Sequence, residues 1–183
     1  AADRDEYYDR PTDVPGLLSR TPAIFGGRDR EAGGTWLAVN EYGLTAAVTN
    51  RNTDTPLEPE LPSRGRLCLR AAQARSAAEA AEILQTLLRT ERYNPFTCIL
   101  ADPSSARLVT NVGRDPVAEL APGWHILGNL ELNSRQDPRV ERAAARLAEL
   151  APGTRSPDQL PEILQEVCRD HGGASASAQA DSI

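Results

Sequence analysis

Two predicted β-hairpins with a helix between them constrain the fold of this chain more than any other feature of its sequence. The first pairs residues 36–40 with residues 44–50 around Glu-Tyr-Gly at residues 41–43, where the glycine takes a positive φ at low cost. The second pairs residues 96–101 with residues 107–111 across an Asp-Pro-Ser-Ser turn. Hairpins joined through helices lack the strand–helix alternation of parallel sheets, so the sequence predicts an α+β fold with largely antiparallel sheet.

Two further strands are predicted outside these hairpins. One covers residues 23–25 and is followed by a predicted Gly-rich turn at Gly26-Gly27 and Gly33-Gly34. The other covers residues 124–129 and follows Pro122-Gly123. The predicted strands are therefore distributed between residues 23 and 129.

Helix-start signals predict two helices with clear caps. Ser76-x-x-Glu79 is a capping box, and the apolar residues after it recur at helical spacing as far as about Tyr93. Pro138 occupies a first helical turn and begins a helix that ends at Leu150, before a Pro-Gly pair. The first of these helices is the one that separates the two hairpins.

A third helix follows, and its cap has two candidates. Ser156-x-x-Gln159 resembles a capping box, but a helix starting there would place Pro161 where its missing N–H breaks a helical hydrogen bond. Asp158 is therefore the preferred cap. The helix then extends to about Asp170 and stops before Gly172.

The charge distribution excludes several classes of function. The 183 residues carry a net charge of −6, and the arginines are scattered, which is unlike a nucleic-acid groove or a protein bound to an anionic membrane surface. All 20 basic residues are Arg, so no Walker lysine, Schiff-base lysine or lysine general base exists in these residues. We expect small-molecule or protein partners, and the arginine bias is typical of a GC-rich, bacterial-type genome.

The cysteines favour a reducing compartment. Cys68, Cys98 and Cys168 are odd in number and far apart, without the spacing of a zinc site or a disulfide framework, so we predict free thiols, no metal site and a cytoplasmic protein. No apolar stretch approaches the ~18 residues of a membrane span, and no signal-peptide pattern is present.

Both ends of the sequence indicate a fragment. The chain contains no Met, and a charged cluster at residues 3–6 is followed at once by a segment typical of a fold interior. Small residues at 172–182 predict a flexible loop before the final Ile183. We therefore expect one domain over residues 1–183 that lacks both of its edges.

Common catalytic motifs are missing from these residues, so chemistry would depend on isolated side chains. There is no Gly-x-Gly-x-x-Gly, P-loop, His-Glu-x-x-His, EF-hand or Gly-x-Ser-x-Gly pattern. His171 is placed to cap a helix end. His125, on the predicted strand 124–129, has either a structural role or one in haem ligation or substrate contact.

Four other polar residues are candidates for a site. Arg4 and Asp5 would point to opposite faces of a strand, which would bury one charge unless the chain turns there. Asn50 and Asn129 each end a predicted strand, where Asn most often serves a turn. If the two amides met near an arginine, they would form a set able to stabilise an oxyanion.

The order of several short blocks resembles the NRDE family, which includes the transport and Golgi organisation protein 2 group. Ala-Asp-Arg-Asp-Glu at residues 2–6 is similar to its Ala-Asn-Arg-Asp-Glu signature, and the similarity extends over about residues 1–150. The other blocks, in family order, are Tyr8-x-Arg10-Pro11-Thr12, residues 27–37, Ala47-Val48-Thr49-Asn50-Arg51, Ser63-Arg64-Gly65, Tyr93-Asn94-x-Phe96 and residues 122–129.

The resemblance implies an Ntn-hydrolase-like, four-layer αββα sandwich with two mostly antiparallel sheets. It also implies a nucleophilic Cys upstream of Ala1, bordered by Arg4 and Asp5, with Asn50 as an oxyanion donor and Asn129 orienting the substrate amide. The chain departs from the family at Asp3, in place of Asn, and at Gly128, in place of Ser.

Two functions are compatible with this family. The first is a carrier or homeostasis factor for haem or lipid, with His125 as a candidate haem ligand. The alternative is an N-terminal-cysteine Ntn hydrolase that cleaves a linear amide, with its nucleophile outside this chain. In either case we expect a small-molecule ligand, namely haem, an acyl compound or an amide.

Overall fold

A computed structural model describes residues 1–2, 10–151 and 156–170 of the chain. The chain forms two compact units with a boundary between Gly123 and Trp124. We call the described residues before the boundary, from 10 onward, the sheet unit, and those after it the helical unit. Arg4, Asp5, His171 and the predicted loop 172–182 lie outside the described residues.

The sheet unit contains one seven-stranded sheet. Each strand pairs antiparallel with the next along the chain, so the strand order follows the sequence. This pairing needs no crossover helix, and it confirms the predicted α+β class. The strands are β1 (Thr12–Arg20), β2 (Ala23–Asp29), β3 (Leu37–Asn40), β4 (Thr45–Asn50), β5 (Phe96–Ala101), β6 (Ala106–Thr110) and β7 (Val117–Glu119).

Two helices, α1 (Gly65–Ala71) and α2 (Ala77–Leu87), pack on the sheet, where they contact β3, β4, β5 and β6. Alternate residues of the strands point toward these helices, as the period of two in a strand requires. The result is one core of fully buried side chains. Its larger members are Ile24, Leu44, Leu67, Leu84, Phe96, Leu100 and Val109.

Neighbouring apolar residues line up across the first three strands without full burial. Leu17 pairs with Phe25, and Phe25 pairs with Val39. These three residues are 53%, 53% and 42% exposed, whereas Ile24, the neighbour of Phe25, is completely buried. Because successive side chains of a strand alternate between faces, the row lies on the sheet face opposite to Ile24.

The capping box predicted for α2 is confirmed. The Ser76 hydroxyl accepts the Glu79 N–H at 3.2 Å, and the Glu79 carboxylate accepts the Arg75 N–H at 2.8 Å. The helix ends at Leu87, earlier than predicted, because Thr90 donates both its N–H and its hydroxyl to the Leu87 carbonyl and closes a turn.

The sequence missed three elements of the sheet unit. β1 contains Pro15 and Gly16, which predicted no strand, but β1 pairs only with β2 at the edge of the sheet and has a register irregularity there. The part of the predicted Gly-rich turn at residues 26–27 is wrong, because β2 continues through it. The part at residues 33–34 lies in the turn after β2, where Gly33 takes a positive φ of 71°. Glycine is needed at residue 26, since a Cβ there would lie 2.5 Å from the Leu37 carbonyl oxygen. The other two missed elements are α1 and β7.

The helical unit contains α3 (Pro138–Leu150), a 3₁₀ turn (Pro157–Gln159) and α4 (Leu160–Arg169), and α3 contacts α4. Asp137 caps α3 by accepting the Arg139 N–H at 3.0 Å, with Pro138 at the first position as predicted. Val140 and Leu147 are the buried residues of α3.

The preferred cap of the third helix was wrong. Asp158 lies within the 3₁₀ turn, and the N-cap of α4 is Gln159, whose side chain makes no capping hydrogen bond to the helix. Ser156 and Gln159 instead bond across the 3₁₀ turn. The Ser156 N–H donates to Gln159 Oε1 and the Ser156 hydroxyl accepts the Asp158 N–H, each at 3.3 Å. Pro161 is then the second residue of α4, where its missing N–H removes no helical hydrogen bond.

The predicted strand at residues 124–129 is also wrong. Residues 124–128 have no regular secondary structure, because both backbone groups of Ile126 bond to Asn133 rather than to a strand. The Ile126 N–H donates to Asn133 Oδ1, and its carbonyl accepts the Asn133 N–H, each at 2.8 Å. Asn133 has a positive φ of 59°, in the left-handed region, where it forms both of these hydrogen bonds with Ile126.

No helix in the described ranges is both long and apolar enough to span a membrane. These ranges contain one sheet, so the second sheet of the predicted four-layer sandwich stays a prediction.

Candidate functional site

The predicted site residues fall in different parts of the chain. Arg4 and Asp5 lie outside the described residues. Asn50 ends β4 in the sheet unit, as predicted. Asn129 and His125 belong to the loop before α3 in the helical unit, so their predicted place on a strand is wrong.

In the sheet unit, the blocks that carry the family resemblance bond to one another around Asp29. Asp29 Oδ2 accepts Arg10 Nη2 at 2.6 Å, and Oδ1 accepts the N–H groups of Glu31 at 3.0 Å and Ala32 at 3.2 Å. Burial opposes ionisation of Asp29, but these hydrogen bonds and the Arg10 charge outweigh burial and hold the pKa of Asp29 below its usual range.

A second arginine, Arg64, lies close enough to Arg10 to be affected by its charge. Burial, with a contribution from Arg10, lowers the pKa of Arg64. Its guanidinium donates to the Pro95 carbonyl at 3.1 Å, and the Arg51 N–H donates to the same carbonyl at 3.0 Å. The carbonyl of Pro95 thus ties the residue that follows Asn50 to the Ser-Arg-Gly block at residues 63–65.

The motif residues of the sheet unit therefore form a structural frame. Asn50 pairs with Phe96 at the last position of β4 and is exposed. The frame fixes the backbone on both sides of Asn50, which is a suitable place for an amide donor. The oxyanion role of Asn50 stays a prediction.

In the helical unit, Asp137 organises the loop that contains Asn129. The carboxylate is 5% exposed and accepts the backbone N–H groups of Asn129 and Arg139 and the Arg139 guanidinium. Burial opposes ionisation here too, and the hydrogen bonds from Arg139 and Asn129 overcome it, so the pKa of Asp137 lies below its usual range.

Arg139 also fixes the orientation of the Asn129 amide. Arg139 Nη2 donates to Asn129 Oδ1 at 2.7 Å, which directs the amide oxygen toward the guanidinium. A contact between this amide and a substrate would therefore involve the Nδ2 group as donor. That orientation is compatible with the predicted role of Asn129, which stays a prediction.

Gly128, a departure from the family pattern, permits this arrangement. A Cβ at residue 128 would overlap Asp137 Oδ2 and lie 3.0 Å from Val140 Cγ2. Glycine thus allows the carboxylate of Asp137 to approach the loop backbone.

His125 faces Asn133. Asn133 Nδ2 lies 3.5 Å from His125 Nδ1, while Asn133 Oδ1 is occupied by the Ile126 N–H. The Ile126 contact directs the Asn133 amide nitrogen toward His125, so a hydrogen bond between the two side chains would have Nδ1 as its acceptor.

An apolar cavity of about 370 Å³ lies between this loop and α3. The cavity was not predicted from the sequence, although the helical spacing of apolar residues at 140, 144, 147, 148 and 151 indicates an apolar face on α3. Trp124 is 45% exposed at the cavity. The described lining residues are Trp124, Ile126, Asn133, Arg135, Val140, Ala144, Leu147, Ala148 and Ala151.

Two of the three cysteines are unsuitable as nucleophiles. Burial raises the pKa of Cys68 to about 12, and its thiol donates to the Ala46 carbonyl at 3.0 Å. Burial also raises the pKa of Cys98 well above its usual value. Within the described ranges, no cluster of His, Cys, Asp or Glu could hold a metal ion.

Comparisons of sequence identify relatives of this chain. The family profile named Transport and Golgi organisation 2 matches residues 1–180. The human Transport and Golgi organization protein 2 homolog is 32% identical over 146 residues, covering 73% of this chain and 51% of the human protein. The Bos taurus homolog is 34% identical over 146 residues, with the same coverage. The chain therefore spans about half the length of the curated relatives it matches.

A comparison of structures supports the predicted fold. The Caenorhabditis elegans N-acylethanolamine-hydrolyzing acid amidase ortholog, an Ntn hydrolase, superposes with a TM-score of 0.62. The similarity covers 84% of this chain and 72% of the amidase, at 14% sequence identity. At that identity the likeness concerns the fold, which is Ntn-hydrolase-like.

Proposed function

Because the chain belongs to the transport and Golgi organisation 2 family, we propose that it is part of a cytoplasmic carrier for an apolar small molecule of the haem or lipid class. The observation that carries this proposal is the apolar cavity of the helical unit. Its volume of about 370 Å³ lies within the ~300–1,000 Å³ of typical ligand pockets. The unpaired thiols of Cys68, Cys98 and Cys168 support the cytoplasmic location.

The surroundings of His125 favour a lipid over haem held through its iron. A neutral imidazole that accepts at Nδ1 carries its proton on Nε2, so Nε2 has no lone pair to offer iron. The Asn133 amide promotes that tautomer, because its oxygen is held by the Ile126 N–H. Ligation by His125 would require the contact with Asn133 to be lost.

The test uses the fluorescence of Trp124. A Trp36→Phe variant leaves Trp124 as the single tryptophan of the chain, since there are two in all. Titration with dodecanoate should then give a saturable change in emission. Titration with haem should give quenching without the Soret shift of histidine ligation, in the presence or absence of His125→Ala.

A filled cavity is the control. Ala144→Phe in the Trp36→Phe background places a bulky ring among the lining residues and should abolish the saturable signal while the circular dichroism spectrum stays unchanged. If neither dodecanoate nor haem gives a saturable signal, or if the filled variant binds equally well, the carrier proposal is wrong.

The shared fold with an amidase supports a second function, hydrolysis of a linear amide. In this proposal Arg4 and Asp5 border a nucleophilic Cys outside this chain, Asn50 donates to the oxyanion, and Asn129 orients the amide through Nδ2. The nucleophile would attack the carbonyl carbon, release the amine and leave an acyl-enzyme that water hydrolyses. Cys68 and Cys98 are excluded as the nucleophile by their burial.

A longer product of the same gene would test the amidase proposal. An N-acylethanolamine or penicillin V should leave an acyl adduct on the upstream Cys in intact-mass spectra, and Cys→Ser at that position should abolish the adduct. Adduct formation with the serine variant, or on none of the substrates, would contradict it.

The second sheet of the four-layer sandwich is also a proposal. The exposed row of Leu17, Phe25 and Val39 is suited to pack against a second sheet, and the chain spans 51% of its human relative. With Phe25→Trp as the single fluorescent reporter in a background of Trp36→Phe and Trp124→Phe, we expect iodide to quench the emission less in a longer product than in this chain. Equal quenching would contradict a second sheet on this face.

A further inference from the structure

The apolar cavity of the helical unit has one charged residue among its described lining residues, Arg135. Asn133 is the only other described lining residue with a strongly polar side chain. Its oxygen accepts the Ile126 N–H and its nitrogen faces His125. The polar capacity of the cavity wall is therefore concentrated in the guanidinium of Arg135.

The guanidinium of Arg135 is not engaged within the described residues. Across residues 1–2, 10–151 and 156–170, Arg135 makes no hydrogen bond or ion pair, and it is exposed. Asp137, two residues along the chain, does not pair with Arg135, because its buried carboxylate bonds to Arg139 and to backbone N–H groups. Arg139 thus supplies the charge that balances Asp137.

An apolar cavity with one uncommitted guanidinium at its wall is complementary to an amphipathic anion. The planar fork of Arg donates two parallel hydrogen bonds to a carboxylate or a phosphate. An aliphatic chain would fill the space beside Trp124 and Leu147. Transfer of its apolar surface out of water would favour binding.

We propose that the cavity binds a single-chain amphiphile whose oxyanion headgroup is held by Arg135. This inference rests on the carrier function proposed above and makes Arg135 the residue that selects an anionic over a neutral lipid. A carboxylate and a phosphate monoester share the chemistry that the guanidinium recognises, and they are separate arms of the test.

The experiment compares three ligands with the same chain and different headgroups: dodecanoate, dodecyl phosphate and dodecanol. The two anions are titrated below their micelle concentrations and dodecanol below its aqueous solubility into the Trp36→Phe protein, with Trp124 emission as the readout. At least one of the two anions should bind about tenfold more tightly than dodecanol, as a charge-assisted hydrogen bond implies. The tighter anion identifies the headgroup.

Substitution then assigns the preference to one residue. Arg135→Gln should weaken binding of the anion about tenfold more than binding of dodecanol, so that the preference for the anion disappears. Arg142→Gln is the matched control, because Arg142 is on α3 but lines a different cleft, and it should leave all three affinities unchanged.

The outcomes separate this inference from the function on which it rests. If all three ligands bind with equal affinity, or if Arg135→Gln retains the preference, the headgroup inference is overturned and the carrier stands. If no ligand gives a saturable signal in the parent protein, the carrier fails and the inference fails with it. A preference lost equally in Arg142→Gln would overturn the role of Arg135.

Discussion

The sheet unit and the helical unit use their charged residues differently. In the sheet unit, Arg10 donates to Asp29 and Arg64 donates to the Pro95 carbonyl, so these charged groups fix the backbone of the motif residues. In the helical unit, Asp137 and Arg139 balance each other beside Gly128, while Arg135 stays uncommitted among the described residues at an apolar cavity. Residues that identify a family can therefore form its structural frame, while ligand contacts can come from residues outside the family motifs.

Removal of the carboxylate at the centre of the frame should have the largest effect. Asp29→Ala removes the acceptor of Arg10 Nη2 and of two backbone N–H groups, and we expect a loss of about 3 kcal/mol in the free energy of unfolding. Urea unfolding followed by circular dichroism would measure it. Ligand binding in the helical unit should be unchanged.

Asp13→Ala is the matched control for this prediction. Asp13 pairs with Arg30, but both side chains are substantially exposed, so its removal should cost less than about 1 kcal/mol. Equal losses for the two variants would mean that Asp29 is not a centre of the frame.

Removal of Asp137, the buried carboxylate of the helical unit, should reduce stability less than removal of Asp29 but should also weaken ligand binding. Asp137→Ala removes the cap of α3 and releases Arg139 and the Asn129 backbone, and we expect a loss of about 2 kcal/mol in stability. Because the loop next to the cavity loses its anchor, dodecanoate affinity should fall as well. An unchanged affinity would break the proposed contrast between the two units.

The two units also differ in how much of their secondary structure could be predicted from the sequence. Turn and cap signals correctly predicted the two hairpins and the helices α2 and α3. The signals at Gly43, Ser76 and Pro138 are local, because each affects the backbone of only a few neighbouring residues. The strand predicted at residues 124–129 failed because a residue outside the window, Asn133, takes both backbone hydrogen bonds of Ile126. Local patterns do not report such a partner.

The same limit applies to the candidate site. Family blocks identified Asn50 and Asn129, but no pattern could show that Arg139 holds the Asn129 oxygen or that Arg135 lies at a cavity. Arg10 and Asp29 are 19 positions apart, and their pairing depends on the register of β1 with β2. Tertiary pairing of this kind is decided by the whole sheet rather than by a motif.

Acid should reduce stability in both units, and more in the sheet unit. The folded-state pKa values of Asp29 and Asp137 lie below the unfolded value of about 3.9, so each carboxylate stabilises the fold above that pH. This stabilisation is lost as the pH falls through the folded-state pKa. The sheet unit has an additional such group in Asp102, whose pKa is lowered by the Ala77 N–H and by Ser104.

Amide hydrogen exchange between pH 5 and pH 2.5, corrected for intrinsic rates, would measure this difference unit by unit. Strand amides of β2 and β5 should lose more protection than amides of α3. Asp29→Asn should flatten the response of the sheet unit, and an unaltered acid response in that variant would contradict the assignment.

The smallest expected effect compares the caps of α2 and α3. The first turn of α2 has two acceptors, because Ser76 accepts the Glu79 N–H and Asp102 accepts the Ala77 N–H at 2.7 Å. Ser76→Ala should therefore cost only about 0.5–1 kcal/mol, at the low end for an N-cap, since Asp102 continues to hold the helix. Combined with Asp102→Ala, the loss should exceed the sum of the two single losses, because each acceptor compensates for the other. An additive double-mutant cycle from urea unfolding would mean that the two acceptors act independently, and the α2 cap would then be no more robust than the Asp137 cap of α3.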